Sequence, residues 1–156
     1  MEEKAYEIND ATLAIIPEKK KGSLILEEEF QYENSKNPLE LINYSCKYFG
    51  STYEGRRDGA KEILLSKYKL PIMIEDSRNL IFLPTESPES NDCAWLALNK
   101  IKNVEKIDNE KDKTIVEFHN GQRLVLNISY NSMQNQILRA SRLDSILRNR
   151  KNREKL

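Results

Sequence analysis

The sequence lacks the two features that would direct a chain into or across a membrane. It contains no apolar run of the roughly eighteen residues that a membrane-spanning helix needs. Its first ten residues, MEEKAYEIND, are acidic and lack the apolar segment of a secretory signal. We therefore expect a cytoplasmic protein with no membrane partner.

Cysteine and histidine, the usual ligands of zinc, are scarce. The two cysteines, Cys46 and Cys93, lie far apart, and His119 is the single histidine. The spacings CxxC and HExxH are absent, so we expect no metal site and no cofactor. In a cytoplasmic setting both cysteines are expected to be reduced.

The usual signatures of catalysis are also absent. The sequence has no phosphate-binding loop, no dinucleotide fingerprint and no GxSxG nucleophile motif. His119 lies in FHNG, a turn sequence, and neither cysteine is near it in the chain. A surface turn histidine is the better explanation, and we expect a protein that is not an enzyme.

Neither sign of charge is in excess, but the two signs are segregated along the chain. Residues 1–40 hold 5 basic and 10 acidic residues, residues 41–70 hold 6 and 3, residues 71–138 hold 7 and 10, and residues 139–156 hold 7 and 2. Two basic segments, with net charges of +3 and +5, therefore alternate with two acidic segments of −5 and −3. A neutral protein patterned in this way can present a basic face to a polyanion.

Short apolar runs predict a series of strands. They are ATLAIIPE, GSLILEEEF, PIMIE, LIFLPT, CAWLAL, VEKID, TIVEFH and RLVLNIS. Asn120–Gly121, between the last two runs, is the strongest hairpin signal in the chain. Trp95, the single tryptophan, is predicted to lie in the core rather than to hold a ligand.

Helical spacing of apolar residues predicts one helix early in the chain and one near its end. The early helix is expected to have Asn37 as its N-cap and to end at Gly50. The late helix is expected to begin near Tyr130, with Ser129 or Asn131 as its cap. Its predicted core face consists of Met133, Ile137, Leu138, Leu143, Ile146 and Leu147. The segment AKEILLSKY is ambiguous.

Strands and helices do not alternate strictly along the chain, so a parallel α/β sheet is disfavoured. The expected fold class is α+β, with antiparallel sheets, an early helix and a basic C-terminal helix.

The predicted late helix is strongly basic. Its cationic residues within seventeen positions are Arg139, Arg142, Arg148, Arg150, Lys151, Arg153 and Lys155. Cations that oppose the negative end of a helix dipole explain two or three of them. An acidic partner, usually nucleic acid, explains the larger number, and both explanations remain open on these residues alone.

Five blocks of the sequence, in order over roughly residues 6–145, resemble the ComK family, the competence transcription factors of Gram-positive bacteria. The blocks are YEINDATLAIIPE, SCKYFGSTYEGRRDG, LPIMIEDSRNLIFLPT, the tryptophan of CAWLAL, and VEFHNGQRLVLNISYNSMQNQ. A single short motif would be weak support, but an ordered set is specific. The chain is therefore identified by resemblance as a short member, because longer members continue by several tens of residues after the basic helix.

The resemblance implies a transcription activator that binds double-stranded DNA. Members of the family recognise paired A/T-rich boxes largely through the minor groove, act as oligomers, and switch on genes for DNA uptake and recombination. They are also degraded through a proteolytic adaptor. The resemblance implies a single DNA-binding domain over residues 1–148, and residues 149–156 are expected to form a mobile, polar basic tail. The protein is then expected to be a homo-oligomer, a dimer or tetramer on DNA, and to associate with the nucleoid.

A different class of function remains open. A ComK-like protein can act without activating genes, by competing for oligomer partners or for the proteolytic adaptor. DNA binding alone does not separate the two hypotheses, whereas promoter activation does.

The Gly/Arg segment SCKYFGSTYEGRRDG is the first candidate for contact with DNA. Its glycines, Gly50, Gly55 and Gly59, are expected to let the backbone turn and approach the DNA closely. Arginine gains from the negative potential of a narrow A/T-rich minor groove. The candidate contacts here are Lys47, Ser51, Thr52, Tyr53, Arg56, Arg57 and Lys61. The alternative is a purely structural turn, and in either case Tyr48 and Phe49 are expected to lie in the core.

The start and the basic face of the late helix provide the second group of candidates. A helix N-terminus can hold a phosphate through its free N–H groups, although an ordinary capping role explains Asn131 equally well. Basic side chains farther along add phosphate contacts. The candidates in this group are Tyr130, Asn131, Arg139, Arg142 and Arg148.

Overall fold

The structure is a computed structural model that describes residues 3–20 and 22–154. Within these residues the strands are β1 (Thr12–Pro17), β2 (Ser23–Glu27), β3 (Gln31–Asn34), β4 (Ile72–Glu75), β5 (Leu80–Pro84), β6 (Trp95–Ala97), β7 (Ile101–Ile107), β8 (Glu110–Phe118) and β9 (Arg123–Leu126). The helices are α1 (Pro38–Tyr48), α2 (Tyr53–Leu64) and α3 (Tyr130–Glu154), with a short 3-10 turn at Leu98–Lys100. The predicted α+β class is confirmed.

The centre of the protein is a six-stranded antiparallel sheet with the strand order β3-β2-β1-β6-β5-β4. Two three-stranded meanders meet at its middle, where Ala14 of β1 pairs with Leu96 of β6. The hairpin predicted around residues 76–79 is confirmed as the turn between β4 and β5. All five residues of β5 are buried, because this sheet is covered on both faces.

Each face of the six-stranded sheet has its own core. Ile15, Phe82 and Trp95 point to the face covered by α1 and the N-terminal segment. Leu83 and Leu96 point to the opposite face, which is covered by α3 and by the second sheet. Trp95 is fully buried, as predicted. The result is a three-layer arrangement in which the sheet separates α1 from α3.

The smaller sheet has the order β7-β8-β9 and is also antiparallel. The predicted hairpin at Asn120–Gly121 is confirmed, since it joins β8 to β9 and Gly121 has a φ of +93° that favours glycine. His119 is exposed at this turn, as expected.

Helix α1 forms for the reasons that the sequence predicts. The side chain of Asn37 accepts a hydrogen bond from the backbone N–H of Glu40, and the Glu40 carboxylate accepts one from the Asn37 N–H. This capping box stabilises the first turn. Gly50 follows the helix with a φ of +87°, which turns the chain toward α2.

Helix α2, like the short strand β3, is an element that the sequence did not predict. The Gly/Arg segment was expected to be turn-rich, but residues from Tyr53 onward are helical and Gly55 and Gly59 lie inside the helix. The Thr52 side chain caps this helix by accepting a hydrogen bond from the Gly55 N–H at 2.9 Å. Since α2 contacts α1, α3 and the edge strand β4, it protects one edge of the large sheet.

Helix α3 begins at Tyr130 and is capped by Ser129, whose hydroxyl accepts a hydrogen bond from the Ser132 N–H at 3.2 Å. Asn131 is therefore not the cap. The expected core face needs one correction, because Leu138 is 66% exposed. Residues 149–154 continue the helix, whereas residues 155 and 156, including the candidate cation Lys155, lie outside the described residues. The mobility of this tail stays a prediction.

The capping role of Ser129 can be tested by comparison with its neighbour. We expect Ser129→Ala to lower the free energy of unfolding by about 1 kcal/mol, because it leaves a first-turn N–H without its acceptor. Asn131→Ala, at an exposed position inside the helix, is the matched control and should change the free energy of unfolding little. Urea denaturation measures both. An equal loss in the two variants would contradict the assignment of the cap.

Candidate nucleic-acid interface

The end of α1 and the start of α2 bring three of the predicted contacts together. Lys47, Thr52 and Tyr53 line one shallow groove of about 520 Å³ between the two helices. Lys47 and Thr52 are exposed, and Ser51 is half-buried beside them. The grouping expected from the sequence is therefore present as a surface.

Tyr53 faces inward more than the sequence suggested. Its ring packs edge-on against Trp95, with 6.3 Å between ring centroids, and burial raises the pKa of its hydroxyl to about 12. The phenol stays protonated at neutral pH. Packing accounts for this residue, and its contact with phosphate stays a prediction.

The two aromatic residues before Gly50 behave differently from each other. Both were expected in the core, but Tyr48 is 58% exposed and this expectation is wrong. Phe49 is partly buried against the core on the α1 face. Tyr48 is exposed because it lies on the outer side of the last turn of α1. There its ring packs edge-on against Phe49, at 5.0 Å between centroids.

Arg56 and Arg57 are both half-buried on α2. The Nε atom of Arg56 is buried and has no hydrogen-bond partner among the described residues. The Nη1 atom of Arg57 lies 3.9 Å from the Asp58 carboxylate, which makes a weak, exposed ion pair. Among the residues that the structure describes, neither guanidinium has a strong partner, so both remain candidates for an external one.

The charge of α2 as a whole is balanced. Its three basic residues, including the exposed Lys61, are matched by three acidic residues, Glu54, Asp58 and Glu62. The candidate phosphate contacts on this helix therefore share its surface with carboxylates. Helix α2 alone therefore does not form an electropositive surface. Such a surface requires basic residues of α1 and α3, or lies on another part of the protein.

The basic residues of α3 divide into two groups. Three are engaged within the protein: Arg139 with the segment between α2 and β4, Arg148 with Asp144 at 2.9 Å, and Lys151 with Asp76 at 3.0 Å. Three others are exposed and form no ion pair with any residue that the structure describes. This second group is Arg142, Arg150 and Arg153.

The start of α3 holds Tyr130 in a specific orientation. Gln134 donates a hydrogen bond to the Tyr130 hydroxyl at 2.7 Å, and the Lys106 ammonium lies 5.1 Å from the centre of its ring. Asn131 is exposed beside it. The sequence did not single out Lys106, because β7 and α3 meet only through the fold.

Other classes of site find little support in the part of the chain that the structure describes. No group of three histidine, cysteine or acidic side chains there is placed to hold a metal ion. Both cysteines are buried and unpaired, and burial raises the pKa of each thiol to about 11, which suppresses the reactive thiolate. Over the same residues, no helix has the length and apolar character needed to span a bilayer.

Comparison with known proteins assigns the chain to a family. The family model described as ComK protein matches residues 3–152. The competence transcription factor of Bacillus subtilis (strain 168) is 36% identical over 140 residues, which cover 88% of this chain and 72% of that protein. No solved structure matches. The match runs through the sheet, α1, α2 and most of α3, and the chain belongs to the ComK family.

Proposed function

We propose that the protein is a competence transcription factor that binds double-stranded DNA and activates genes for DNA uptake and recombination. The observation that carries the proposal is the 36% identity, over 140 residues, to the competence transcription factor of Bacillus subtilis. In this proposal residues 1–148 form one DNA-binding domain, and the protein acts at the nucleoid in the cytoplasm as a dimer or tetramer.

The arginines of α3 supply the sequence-independent part of DNA binding. At 100° per residue, Arg142, Arg150 and Arg153 fall within one sector of roughly 80° on the helix surface, and they span about 17 Å along it. All three are exposed. A row of cations on this scale suits the regular negative charge of a phosphate backbone and gives salt-dependent affinity.

Arg56 and Arg57 are proposed to supply the preference for A/T-rich boxes. The minor groove presents a degenerate pattern of acceptors, so a protein there reads A·T against G·C and the width of the groove. Arginine benefits from the enhanced negative potential of a narrow A/T-rich groove. The weak pairing of Arg57 with Asp58, and the lack of any ion pair to Arg56 among the described residues, support this assignment.

Removal of both arginines should weaken binding to A/T-rich DNA specifically. We expect Arg56→Ala/Arg57→Ala to lower affinity for a duplex with two phased A/T boxes by roughly tenfold or more, which is about 1.4 kcal/mol. Affinity for a G/C-substituted duplex should fall much less. Fluorescence anisotropy of labelled duplexes measures both, with circular dichroism to confirm that the variant is folded.

The matched control removes the same charge from a different surface. Lys111→Ala/Lys113→Ala changes two exposed cations on β8, away from α2. An equal loss of affinity in both double variants would mean that only net charge matters, and would contradict the minor-groove assignment.

A second candidate function is protein interaction without gene activation, through competition for oligomer partners or the proteolytic adaptor. Phe30, which is 59% exposed just before the edge strand β3, favours it because an exposed aromatic residue suits a protein partner. A promoter reporter separates the two candidates. Activation supports the transcription factor, whereas DNA binding with no activation in the same cells supports the competitor.

A further inference from the structure

The segment Leu65–Lys69, which links α2 to β4 and is called the α2–β4 loop below, exposes two large side chains. Leu65 is 84% exposed and Tyr68 is 78% exposed, the two highest values among the exposed large hydrophobic residues. Leu65 also has a φ of +53°, a left-handed conformation that is unfavourable for leucine. The contacts around Leu65 must therefore stabilise the loop in this conformation.

The backbone of this loop is fixed by two side chains of α3. Gln136 is 4% exposed, and its Nε2 donates hydrogen bonds to the Lys69 carbonyl at 2.9 Å and the Pro84 carbonyl at 2.7 Å. Arg139 donates to the Ser66 hydroxyl at 2.6 Å and to the Tyr68 carbonyl. Because these bonds hold the loop on both sides of Tyr68, its ring projects from a rigid base.

Arg139 itself has no acidic partner among the described residues. Its three acceptors, the Gln136 amide oxygen, the Ser66 hydroxyl and the Tyr68 carbonyl, are all neutral. Burial lowers the pKa of its guanidinium because desolvation disfavours the charged form. No carboxylate among these partners cancels the charge of Arg139, so it adds to the positive potential around the loop.

The surface around the loop is free of negative charge along both segments that form it. Residues 63–74 contain Lys67 and Lys69 and no carboxylate, and residues 130–143 contain Arg139 and Arg142 and no carboxylate. The outer face of α2, by contrast, has as many acidic as basic residues. The positive surface is thus centred on the two exposed apolar side chains of the loop.

We propose that the α2–β4 loop is a contact for duplex DNA, in which Tyr68 and Leu65 lie in the minor groove against a base step while Lys67 and Arg142 contact phosphates. The inference rests on the proposed DNA-binding function and assigns it to residues outside the Gly/Arg segment. Apolar side chains that enter the minor groove unstack a step and bend the duplex, and nearby cations hold the flanking backbone. A surface that combines projecting apolar groups with unpaired cations suits a polyanion better than an ordinary protein partner.

The test compares Tyr68→Ala with a matched aromatic residue on another surface. Tyr32→Ala removes an exposed tyrosine from the acidic β3 edge and serves as the control. With the A/T-box duplex, we expect Tyr68→Ala to lower affinity by about tenfold and Tyr32→Ala to leave it unchanged. A 2-aminopurine placed at successive A/T steps reports unstacking, and its fluorescence increase on binding should be lost in Tyr68→Ala.

Leu65→Gly tests the same proposed DNA contact in a variant that is expected to fold normally. Glycine accepts the left-handed conformation without strain, so this variant should be at least as stable as the wild type while it loses the apolar side chain. We expect a loss of affinity of about fivefold and a weaker 2-aminopurine signal.

The outcomes separate failure of this inference from failure of the proposed function. If wild-type protein binds the duplex and Tyr68→Ala binds it equally well, the loop is not a DNA contact, although the protein still binds DNA. An equal loss in Tyr32→Ala also overturns the inference. If wild-type protein binds no duplex at low salt, the proposed function fails and the inference fails with it.

Discussion

Arg139→Ala is expected to lower the free energy of unfolding by about 2 to 3 kcal/mol, because it removes the charged donor of three hydrogen bonds and leaves partly buried acceptors unpaired. Arg139 joins α3 to Ser66 and Tyr68, so its loss should also loosen the α2–β4 loop. Although the sequence suggested that this arginine contacts DNA, its side chain is already committed to the protein. Any loss of DNA binding in Arg139→Ala should therefore result from displacement of the α2–β4 loop, not from the loss of a direct contact.

Arg142 is the matched control for this prediction. It lies three residues farther along α3, is exposed, and forms no ion pair among the described residues. We expect Arg142→Ala to leave the unfolding free energy within about 0.5 kcal/mol of wild type. It should reduce the slope of log affinity against log salt concentration by about one, which is the loss of one phosphate contact.

Urea denaturation and salt-dependent anisotropy measure the two effects independently. We expect Arg139→Ala to change stability most and Arg142→Ala to change the salt slope most. Equal stability losses in the two variants, or an unchanged salt slope in Arg142→Ala, would contradict this division of roles.

Gly22→Ala is expected to be the most destabilising single substitution at a glycine. A Cβ atom at this position would lie 2.2 Å from the Asn34 carbonyl oxygen, and the φ of Gly22 is +88°. Backbone must therefore move where β2 meets β3, in addition to the strain of a left-handed residue. We expect a loss of about 3 kcal/mol or more in the free energy of unfolding.

Gly121→Ala isolates the conformational part of that loss. Gly121 has a similar φ of +93°, but a Cβ atom there meets nothing within 4 Å. Alanine should cost only about 1 kcal/mol at this position. Thermal or urea unfolding of both variants gives the difference, which reports the clash with Asn34. Equal losses would show that no such clash exists.

The sequence predicts much of the fold where local signals agree with it. The Asn37 cap and the Asn120–Gly121 turn are confirmed because their side-chain and backbone requirements are local. Helix α2 is different, since Gly55 and Gly59 lower its intrinsic propensity. It forms because Thr52 caps it and because Ala60 and Leu64 pack into the core beside α3.

The candidate site is less predictable than the fold because its partners are distant in the chain. The segregation of charge along the chain predicted that α3 contacts DNA. It could not show that Arg142 is exposed while Arg139 is hydrogen-bonded within the protein. Arg139 is engaged with Ser66, which is 73 residues away in sequence. Likewise, Tyr68 gave no local signal, since the position of its loop depends on hydrogen bonds from Gln136 and Arg139 of α3. Helical periodicity also placed Leu138 in the core, but Leu138 is exposed, whereas the polar Gln136 is buried because its amide donates hydrogen bonds to two backbone carbonyls.

The central claim is that this chain binds A/T-rich duplex DNA. Anisotropy of wild-type protein with a duplex carrying two phased A/T boxes, beside a G/C-substituted duplex at several salt concentrations, tests it most directly. We expect tighter binding to the A/T duplex at every salt concentration, with affinity for both duplexes falling as salt rises. Equal affinity for the two duplexes would contradict the proposed minor-groove recognition, and no binding to either at low salt would contradict the DNA-binding function itself.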